Sequence, residues 1–223
     1  MIKYNTTAFK QGLDNLGIPL NQGQIEQFLQ YYEILVEWNK VMNLTGITDY
    51  EEVVVKHFLD SLAIVKVCDM NRVKTVIDVG TGAGFPGLPL KIAFPHLKVV
   101  LLDSLKKRIT FLEKVVQELG LVDITTIHGR AEELARKPEY RQQFDLSVSR
   151  AVANLSLLSK YCLPFVKDEG EFISYKSGKV AEEIEPAQKV IEKLGGKIIS
   201  SDVFALLDTD ITRSFVVIKR QPR

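Results

Sequence analysis

The chain has 223 residues, which is enough for one hydrophobic core and a small additional module. Apolar residues make up 46% and charged residues 26%, and the net charge of +1 gives no global signal for nucleic acid, so any contact with a polyanion must come from a local patch. No apolar run reaches the roughly 18 residues of a bilayer span and no signal peptide is recognisable, so we expect a cytoplasmic protein without membrane contact.

The two cysteines, Cys68 and Cys162, stand in apolar surroundings without a CxxC pair or a histidine cluster. This pattern is typical of buried structural thiols in a chain that forms no disulfides. We therefore expect no metal site.

Residues 1–70 are predicted to form an N-terminal helical extension. Between residues 21 and 43 apolar side chains recur near every 3.6 positions, and Gln24 stands where it would complete a capping box with Asn21. A second helix is predicted over residues 50–68, with one apolar face.

From Thr75 onward, short β-branched runs alternate with helical ones, which is typical of a parallel sheet covered by helices on both faces. The predicted strands are 75–80, 97–103, 123–129, 144–150, 169–176, 196–206 and 213–220, and the predicted helices are 86–94, 106–120, 154–165 and 180–195. The last two strands are separated by a loop too short for a helical crossover, so they should form an antiparallel hairpin. Residues 71–223 are thus predicted to be one α/β domain with a seven-stranded, mostly parallel sheet and an antiparallel C-terminal strand.

The stretch TVIDVGTGAGFPGLPL, residues 75–90, places a glycine-rich turn between the first strand and a helix, which is typical of a nucleotide-binding loop. Gly80, Gly82 and Gly84 stand at alternate positions after the strand. A GxGxxG match that ends at Gly87 keeps a dinucleotide possible, although this pattern alone is a weak signal. A P-loop is excluded because no Lys-Ser or Lys-Thr pair closes the turn.

Two features favour S-adenosylmethionine over a dinucleotide. Asp78 directly precedes the turn, where a carboxylate would repel a pyrophosphate but could position the ammonium group of a methionine moiety, directly or through water. The reversed last strand is the methyltransferase variation on the doubly wound sheet, whereas dinucleotide folds keep the sheet parallel.

The second strand ends in Asp103, followed by Ser104. A carboxylate here could accept hydrogen bonds from both ribose hydroxyls of the cofactor, or it could merely cap the following helix. The basic run 106–108 would suit the 2′-phosphate of NADP, although a solvated helix face is the commoner explanation. After the third strand, Ala131 and Glu132 could contact adenine, or they could simply begin a short helix.

The fourth strand ends in SVSRAVANL, at the crevice where the reacting group should lie. Arg150 offers a guanidinium to a phosphate, a carboxylate or the O6 and N-7 edge of guanine, and a structural ion pair is an equally weighted alternative. The segment contains no Asn-Pro-Pro-Tyr or Asp-Pro-Pro-Tyr tetrapeptide to hold an exocyclic amine. No cysteine follows strand four or five to attack a pyrimidine ring.

Several motifs together carry a resemblance to a known family. WNKVMNLTGITDYEEVVVKHFLDSL, DVGTGAGFPGLPL, LLDSLKKRITFLEKVVQELGL, HGRAEEL and FDLSVSRAVANL resemble the ribosomal RNA small-subunit methyltransferase G family, also called glucose-inhibited division protein B, over about residues 16–220. The resemblance implies a Rossmann-like class I methyltransferase with an N-terminal helical extension. It also implies methyl transfer from S-adenosylmethionine to N-7 of one guanine in the decoding-region loop of 16S rRNA.

The resemblance assigns cofactor binding to Gly80, Phe85, Ala131, Glu132 and Arg150. Asp78, Gly82, Gly84, Asp103 and Ser104 join them on the arguments given above. The chain departs from the family pattern at Lys106, where glycine is frequent, and at Thr212, where an acidic residue is frequent. The second departure puts in doubt an ion pair near Arg213.

The target atom explains the missing catalytic groups. N-7 of guanine carries a free lone pair and no proton, so no general base is needed. The site must align N-7, the methyl group and the departing sulfur, and such positioning supplies up to ~7–11 kcal/mol. Arg150 is accordingly predicted to act in catalysis by positioning.

The expected partner is 16S rRNA or the assembled 30S subunit, bound by a monomer. A plain surface charge is the simpler interpretation for any single basic residue. The candidates for RNA binding are Lys56, His57, Lys107, Arg108, Lys176, Lys179 and Arg213. Trp38 is predicted to pack against the core, and the role of Asn43 is left open. Two alternative functions remain, an NADP-dependent oxidoreductase and a non-catalytic RNA-binding protein on the same fold.

Overall fold

The computed structural model describes residues 4–150, 153–178, 180–206 and 209–222, and one seven-stranded sheet organises this part of the chain. The strands lie in the order β3-β2-β1-β4-β5-β7-β6. Their bounds are β1 (Thr75–Val79), β2 (Lys98–Asp103), β3 (Ile124–His128), β4 (Phe144–Ser149), β5 (Val166–Ser177), β6 (Gly196–Ala205) and β7 (Thr212–Arg220).

Only β7 of these strands runs against its neighbours, since it pairs antiparallel with both β5 and β6 while the other pairs are parallel. This confirms the predicted seven-stranded sheet and its C-terminal hairpin. The strand order reverses at β1, which lies between β2 and β4. Ligands of open α/β sheets bind at such a switch point, outside the carboxyl ends of the strands.

The first two helices are α1 (Thr7–Leu16) and α2 (Gln22–Met42). The predicted capping box opens α2: the Asn21 side chain accepts from the Gln24 N–H at 2.9 Å, and the Gln24 side chain accepts from the Asn21 N–H at 2.9 Å. Gln24 also donates to the Ile92 carbonyl at 2.8 Å, so the start of α2 is tied to a helix that covers the sheet.

The predicted continuous helix over residues 50–68 is wrong in detail, because the segment changes its winding three times. It consists of α3 (Tyr50–Val53), a π-helical stretch (Val54–Leu59), α4 (Asp60–Leu62) and a 3₁₀ turn (Ala63–Lys66). A π-helical turn is wider than an α-turn and frequently marks a functional site. We call Tyr50–Lys66 the broken helix.

The other helices cover the two faces of the sheet. They are α5 (Gly87–Ala93), α6 (Lys106–Glu118), α7 (Ala131–Leu134), α8 (Leu155–Cys162), a 3₁₀ turn (Leu163–Phe165) and α9 (Ala181–Lys193). One core cluster joins α5, α6 and the N-terminal helices to one face, and a second joins α7, α8 and α9 to the other. None of the helices in the described ranges is long and apolar enough to cross a bilayer.

The N-terminal helices share their core with the sheet. Phe28 and Phe58 are fully buried with ring centroids 5.0 Å apart, and both belong to the cluster that includes Val76 of β1. Trp38 packs partly buried against Phe111 of α6, with ring centroids 5.8 Å apart, as predicted. The predicted boundary at residue 70 therefore does not separate two hydrophobic cores, because one apolar core continues across it.

Replacing Phe58 with alanine should lower the free energy of unfolding by about 3–5 kcal/mol, because the cavity would lie between the N-terminal helices and the sheet. Urea denaturation should still show a single transition, since the same cluster packs both parts. Val41→Ala is the control, because Val41 is 82% exposed and its loss should change stability by less than about 0.5 kcal/mol. Two separate transitions in the wild-type protein would contradict the shared core.

Candidate active site at the carboxyl edge of the sheet

The glycine turn after β1 is held open by its backbone conformation. Gly80, Gly82 and Gly84 have φ values of 72°, 63° and 99°, a region that residues with a side chain rarely adopt. The N–H groups of Gly80 and Thr81 donate to the Leu102 carbonyl at 2.9 and 3.1 Å, which ties the turn to the end of β2. A Cβ atom at Gly80 or Gly82 would meet no atom within 4 Å, so the turn leaves room for a ligand.

Asp78 stabilises this turn through hydrogen bonds. Its carboxylate is fully buried, and Oδ2 accepts from the Thr81 hydroxyl at 2.6 Å and from the Gly87 N–H at 2.8 Å. Among the described residues, its Oδ1 has no hydrogen-bond partner. Burial raises the pKa of Asp78 to about 7. An unpaired buried carboxylate oxygen beside an open turn fits a site that receives a positively charged ligand.

Asp103 links the turn to the start of α6. Its Oδ2 accepts from the Gly82 N–H at 2.9 Å, and its Oδ1 accepts from the Leu105 N–H at 2.9 Å. Arg108 forms an ion pair with the same carboxylate at 3.2 Å. Asp103 therefore does cap the turn before α6, and it also holds the glycine turn.

A cavity of about 370 Å³ opens between the ends of β1, β2 and β3. This volume lies within the range of small-molecule sites in proteins. The cavity brings together the predicted residues Gly80, Asp103, Ser104, Ala131 and Glu132. It is also lined by Tyr161 of α8 and Leu105, which the sequence analysis did not identify.

A larger cavity of about 750 Å³ lies elsewhere, between residues 65–71 and 93–96. It is lined by Cys68, whose thiol pKa is raised by burial to about 12, so this cysteine is not a nucleophile. The cavity faces the amino ends of the strands, away from the glycine turn. The smaller cavity is therefore the better candidate for the active site.

Arg150 lies beside the glycine turn and contacts the broken helix. Its Nη1 donates to the Lys56 carbonyl at 3.1 Å and to Asp60 Oδ2 at 3.0 Å. Its guanidinium carbon lies 4.9 Å from the centre of the Phe85 ring. The structure thus brings together Arg150 and Phe85, which were predicted at separate points of the sequence.

His57 contacts both Phe85 and Arg150, and its imidazole ring is neutral. Its ring stacks on Phe85 with centroids 4.5 Å apart, and its two nitrogens contact Arg150 at 3.2 Å and the Thr45 hydroxyl at 2.9 Å. Burial and the neighbouring guanidinium lower the pKa of His57 to about 3. Nδ1 lies 3.2 Å from Nη2 of Arg150, which can only donate, and 3.0 Å from the Lys56 carbonyl oxygen, which can only accept.

Asp60 is a site residue that the sequence analysis missed. It is 2% exposed and lies between two arginines, with Arg150 at 3.0 Å from one carboxylate oxygen and Arg213 at 3.2 Å from the other. Burial raises the pKa of Asp60, and the two guanidinium groups oppose that rise. The HFLDS motif contains this residue, but no local pattern indicates which cations it meets.

Most candidates for RNA binding are engaged within the protein. Lys107 is exposed on α6, whereas Lys179 lies outside the described residues. The intramolecular ion pairs are Lys56–Glu52, Arg108–Asp103, Lys176–Glu183 and Arg213–Asp60. Lys176 lies within β5 and also donates to the Ala153 carbonyl at 2.9 Å. The departure at Thr212 therefore does not prevent an ion pair at Arg213. RNA contacts by these residues stay a prediction.

Within the described ranges, no group of three or more His, Cys, Asp or Glu side chains is placed to hold a metal ion. The candidate site consists of the glycine turn, the three buried carboxylates Asp60, Asp78 and Asp103, and Arg150 with the side chains that it contacts.

The sheet order and the reversed β7 define the class of Rossmann-like methyltransferases. The fold is similar to that of a ribosomal protein L11 methylase from Lactobacillus delbrueckii subsp. bulgaricus, with a TM-score of 0.55 at 17% identity over 80% of this chain and 81% of that one. It is also similar to M. jannaschii TYW2, solved in complex with AdoMet, with a TM-score of 0.51 at 21% identity over 66% of this chain and 68% of that one.

The sequence profile of the rRNA small subunit methyltransferase G family matches residues 24–209, and the chain belongs to this family. It is 54% identical to the ribosomal RNA small subunit methyltransferase G of Lachnoclostridium phytofermentans over 97% of this chain and 89% of that protein. The protein of the same name from Alkaliphilus metalliredigens is 51% identical over 95% of this chain and 88% of its own length. The resemblance found in the motifs is thereby confirmed.

Asp78 should make the ligand-free protein less stable as pH rises. Its pKa is higher in the folded protein than in the unfolded chain, so its stabilising effect is complete below about pH 4 and is lost as pH rises through about 7. Asp78→Asn keeps an acceptor for Thr81 and Gly87 but cannot ionise. In urea denaturation, wild type should lose on the order of 4 kcal/mol relative to Asp78→Asn between about pH 4 and 8. Parallel curves for the two proteins would show that Asp78 does not titrate in this range.

Proposed function

We propose that this protein transfers the methyl group of S-adenosylmethionine to N-7 of a guanine in 16S rRNA. Membership of the rRNA small subunit methyltransferase G family supports an rRNA methyltransferase. The observation that carries the cofactor assignment is the open glycine turn, which leads from a braced carboxylate, Asp78, into a cavity with a second carboxylate, Asp103. We further propose that the protein works in the cytoplasm, as a monomer that meets rRNA or the 30S subunit.

The adenosine part of the cofactor fits the cavity. Ala131 and Glu132 would contact adenine through the backbone and the carboxylate, and Asp103 would accept from the ribose hydroxyls. A carboxylate has about four acceptor positions, and the N–H groups of Gly82 and Leu105 use two of them. The ribose therefore competes with Arg108, whose side chain is 35% exposed and is free to turn outward.

The methionine part would lie over the glycine turn. Gly80 leaves open space there, and Asp78 provides an unpaired carboxylate oxygen for the ammonium group, directly or through water. Arg150 would offer a cation to the carboxylate of the same ligand, since it lies on Phe85 beside the turn. When bound, S-adenosylmethionine supplies an electrophilic methyl group on a positively charged sulfur.

The residues of the chain position N-7 rather than activate it. N-7 has a free lone pair and no proton to lose, so the reaction needs no base. His57 is unsuited to that role, because burial and the neighbouring Arg150 guanidinium lower its pKa to about 3. Arg150 is held by Asp60 and stays a fixed positive group beside the reacting atoms. Its role is to orient the ligand and the guanine.

The alternative of an NADP-dependent oxidoreductase has no support in the geometry. Arg108, the last residue of the basic run that would bind a 2′-phosphate, is paired with Asp103 at the end of β2. A carboxylate at this position would repel that phosphate. The other alternative, a non-catalytic RNA-binding protein, would bind rRNA without transferring a methyl group. The following experiment distinguishes this alternative from the proposed methyltransferase.

The proposed reaction is tested by mass mapping of 16S rRNA from cells with and without the gene. One 7-methylguanosine should be lost from the decoding-region loop in the deletion strain and should return with the wild-type gene. Naked 16S rRNA and isolated 30S subunits, each incubated with purified protein and cofactor, identify the form of the substrate. An unchanged 7-methylguanosine pattern in the deletion strain would contradict the proposed function.

Gly80→Val should abolish binding of S-adenosylmethionine in calorimetry while the protein stays folded. The side chain would enter the open space of the turn, where the methionine moiety is proposed to lie. Gly120→Val is a matched control, because Gly120 has a similar φ of 61° and equally open surroundings, but lies after α6 outside the cavity. Both variants carry the same backbone strain, and only the first should lose the cofactor. Normal affinity in Gly80→Val would contradict the cofactor assignment.

The single-turnover rate of methylation should stay flat between about pH 6.5 and 8.5, because no proton leaves N-7. The cofactor must be saturating, since protonation of Asp78 near pH 7 would weaken its binding at the lower end of this range. A log-linear rise with pH that disappears on replacement of His57, His96 or His128 would show proton removal in the transition state. The target atom would then not be N-7.

A further inference from the structure

One carboxylate at the edge of the site is shared by two arginines from distant parts of the chain. Asp60 belongs to the broken helix, Arg150 follows β4, and Arg213 lies near the start of β7. The side chains of Arg150 and Arg213 are 18% and 27% exposed, whereas that of Asp60 is 3% exposed. A buried acid thus holds two partly exposed cations next to each other.

The two arginines differ in the donors they leave free. Arg150 uses Nη1 for Asp60 and the Lys56 carbonyl, and Nη2 for His57. Arg213 donates from Nε to Asp60 at 3.2 Å and from Nη1 to its neighbouring carbonyl at only 3.4 Å, and its Nη2 has no hydrogen bond to the described residues. Arg213 therefore presents terminal N–H groups to solvent, in the fork geometry that matches a phosphate.

Arg213 also has fewer neighbouring negative charges than Arg150. His57 is neutral, and Lys56 is paired with Glu52. Arg150 interacts with Asp78 as well as with Asp60. Arg213, in contrast, forms its only ion pair among the described residues with Asp60, which it shares. An anion that approaches this edge meets, at Arg213, a cation whose only carboxylate partner among the described residues is shared with Arg150.

The strand order places the two arginines at different points along the carboxyl edge of the sheet. β4 is the direct neighbour of β1 and its glycine turn, so Arg150 lies on the cofactor side. β7 lies two places farther out, beyond β5, so Arg213 lies on the outer side of the same edge. A polynucleotide whose target base enters next to Arg150 would carry its backbone over Arg213.

We propose that Arg213 binds a backbone phosphate of the RNA beside the target nucleotide, and that Asp60 is the positioning residue that fixes Arg213 and Arg150 relative to each other. This inference rests on the proposed RNA substrate and deepens it. Asp60 accepts from the Nε edge of Arg213 and leaves the terminal N–H groups for the phosphate. The N-terminal helical part of the chain thereby takes part in substrate binding through Asp60.

The test compares Arg213→Gln, Arg213→Lys and Asp60→Asn in steady-state methylation of the rRNA or 30S substrate at several salt concentrations. Arg213→Gln should raise KM for the RNA about tenfold. It should lower the slope of log KM against log salt by about 1, while kcat and the cofactor Kd stay within about twofold of wild type. Arg213→Lys should restore the salt slope, because the charge is kept. Lys189→Gln, on the exposed side of α9, is the control and should change none of these values.

Asp60→Asn distinguishes positioning from charge. It should raise KM while the salt slope stays at the wild-type value, because both arginines remain, and it should also lower kcat through the displaced Arg150. Arg213→Lys is the more conservative variant for the case that Asp60→Asn does not fold. An unchanged KM and salt slope in folded Arg213→Gln would overturn the proposal. Failure of the proposed function would look different, since the wild-type protein itself would then transfer no methyl group to the RNA.

Discussion

The ion pair between Asp60 and Arg150 connects the N-terminal helices to the carboxyl edge of the sheet. Removing Arg150 would leave Asp60 with Arg213 alone, and removing Asp60 would leave Arg150 without this carboxylate, so the contact between the broken helix and the end of β4 depends on the pair. His57 and Phe85 depend on this contact, because Arg150 lies against both rings. The helices that precede the sheet are therefore part of the site and not only a support for it.

Two further buried carboxylates prepare the other side of the site before any ligand binds. Asp78 ties the glycine turn to the start of α5, and Asp103 ties the same turn to the start of α6. The turn is thus fixed in a conformation with open space at Gly80 and Gly82. A ligand does not have to order this loop on binding, which favours affinity. Burial raises the pKa of Asp78, and a bound ammonium group would lower this pKa again.

The sequence was sufficient for the fold and for part of the cavity lining, namely Gly80, Asp103, Ser104, Ala131 and Glu132, because both follow from local patterns. Alternating β-branched and helical runs predicted all seven strands, and the glycine turn after the first of them indicated where a nucleotide cofactor binds. The π-helical winding of Val54–Leu59 was not predictable, since it accompanies contacts of His57 with Thr45 and Arg150 that no local period encodes. Asp60 was missed for the same reason, because its partners lie 90 and 153 residues away in the chain.

A double-mutant cycle of Asp60→Asn and Arg150→Gln, measured as free energies of unfolding in urea, tests most directly whether this ion pair joins the two parts of the molecule. Residues in direct contact show interaction energies of about 0.5–3 kcal/mol. We expect a value within this range, because Arg150→Gln leaves Asp60 with Arg213 as its remaining cation, Asp60→Asn leaves Arg150 without this carboxylate, and the double change removes both charges. The double variant should therefore cost clearly less than the sum of the single variants. Additivity within about 0.5 kcal/mol would contradict the account.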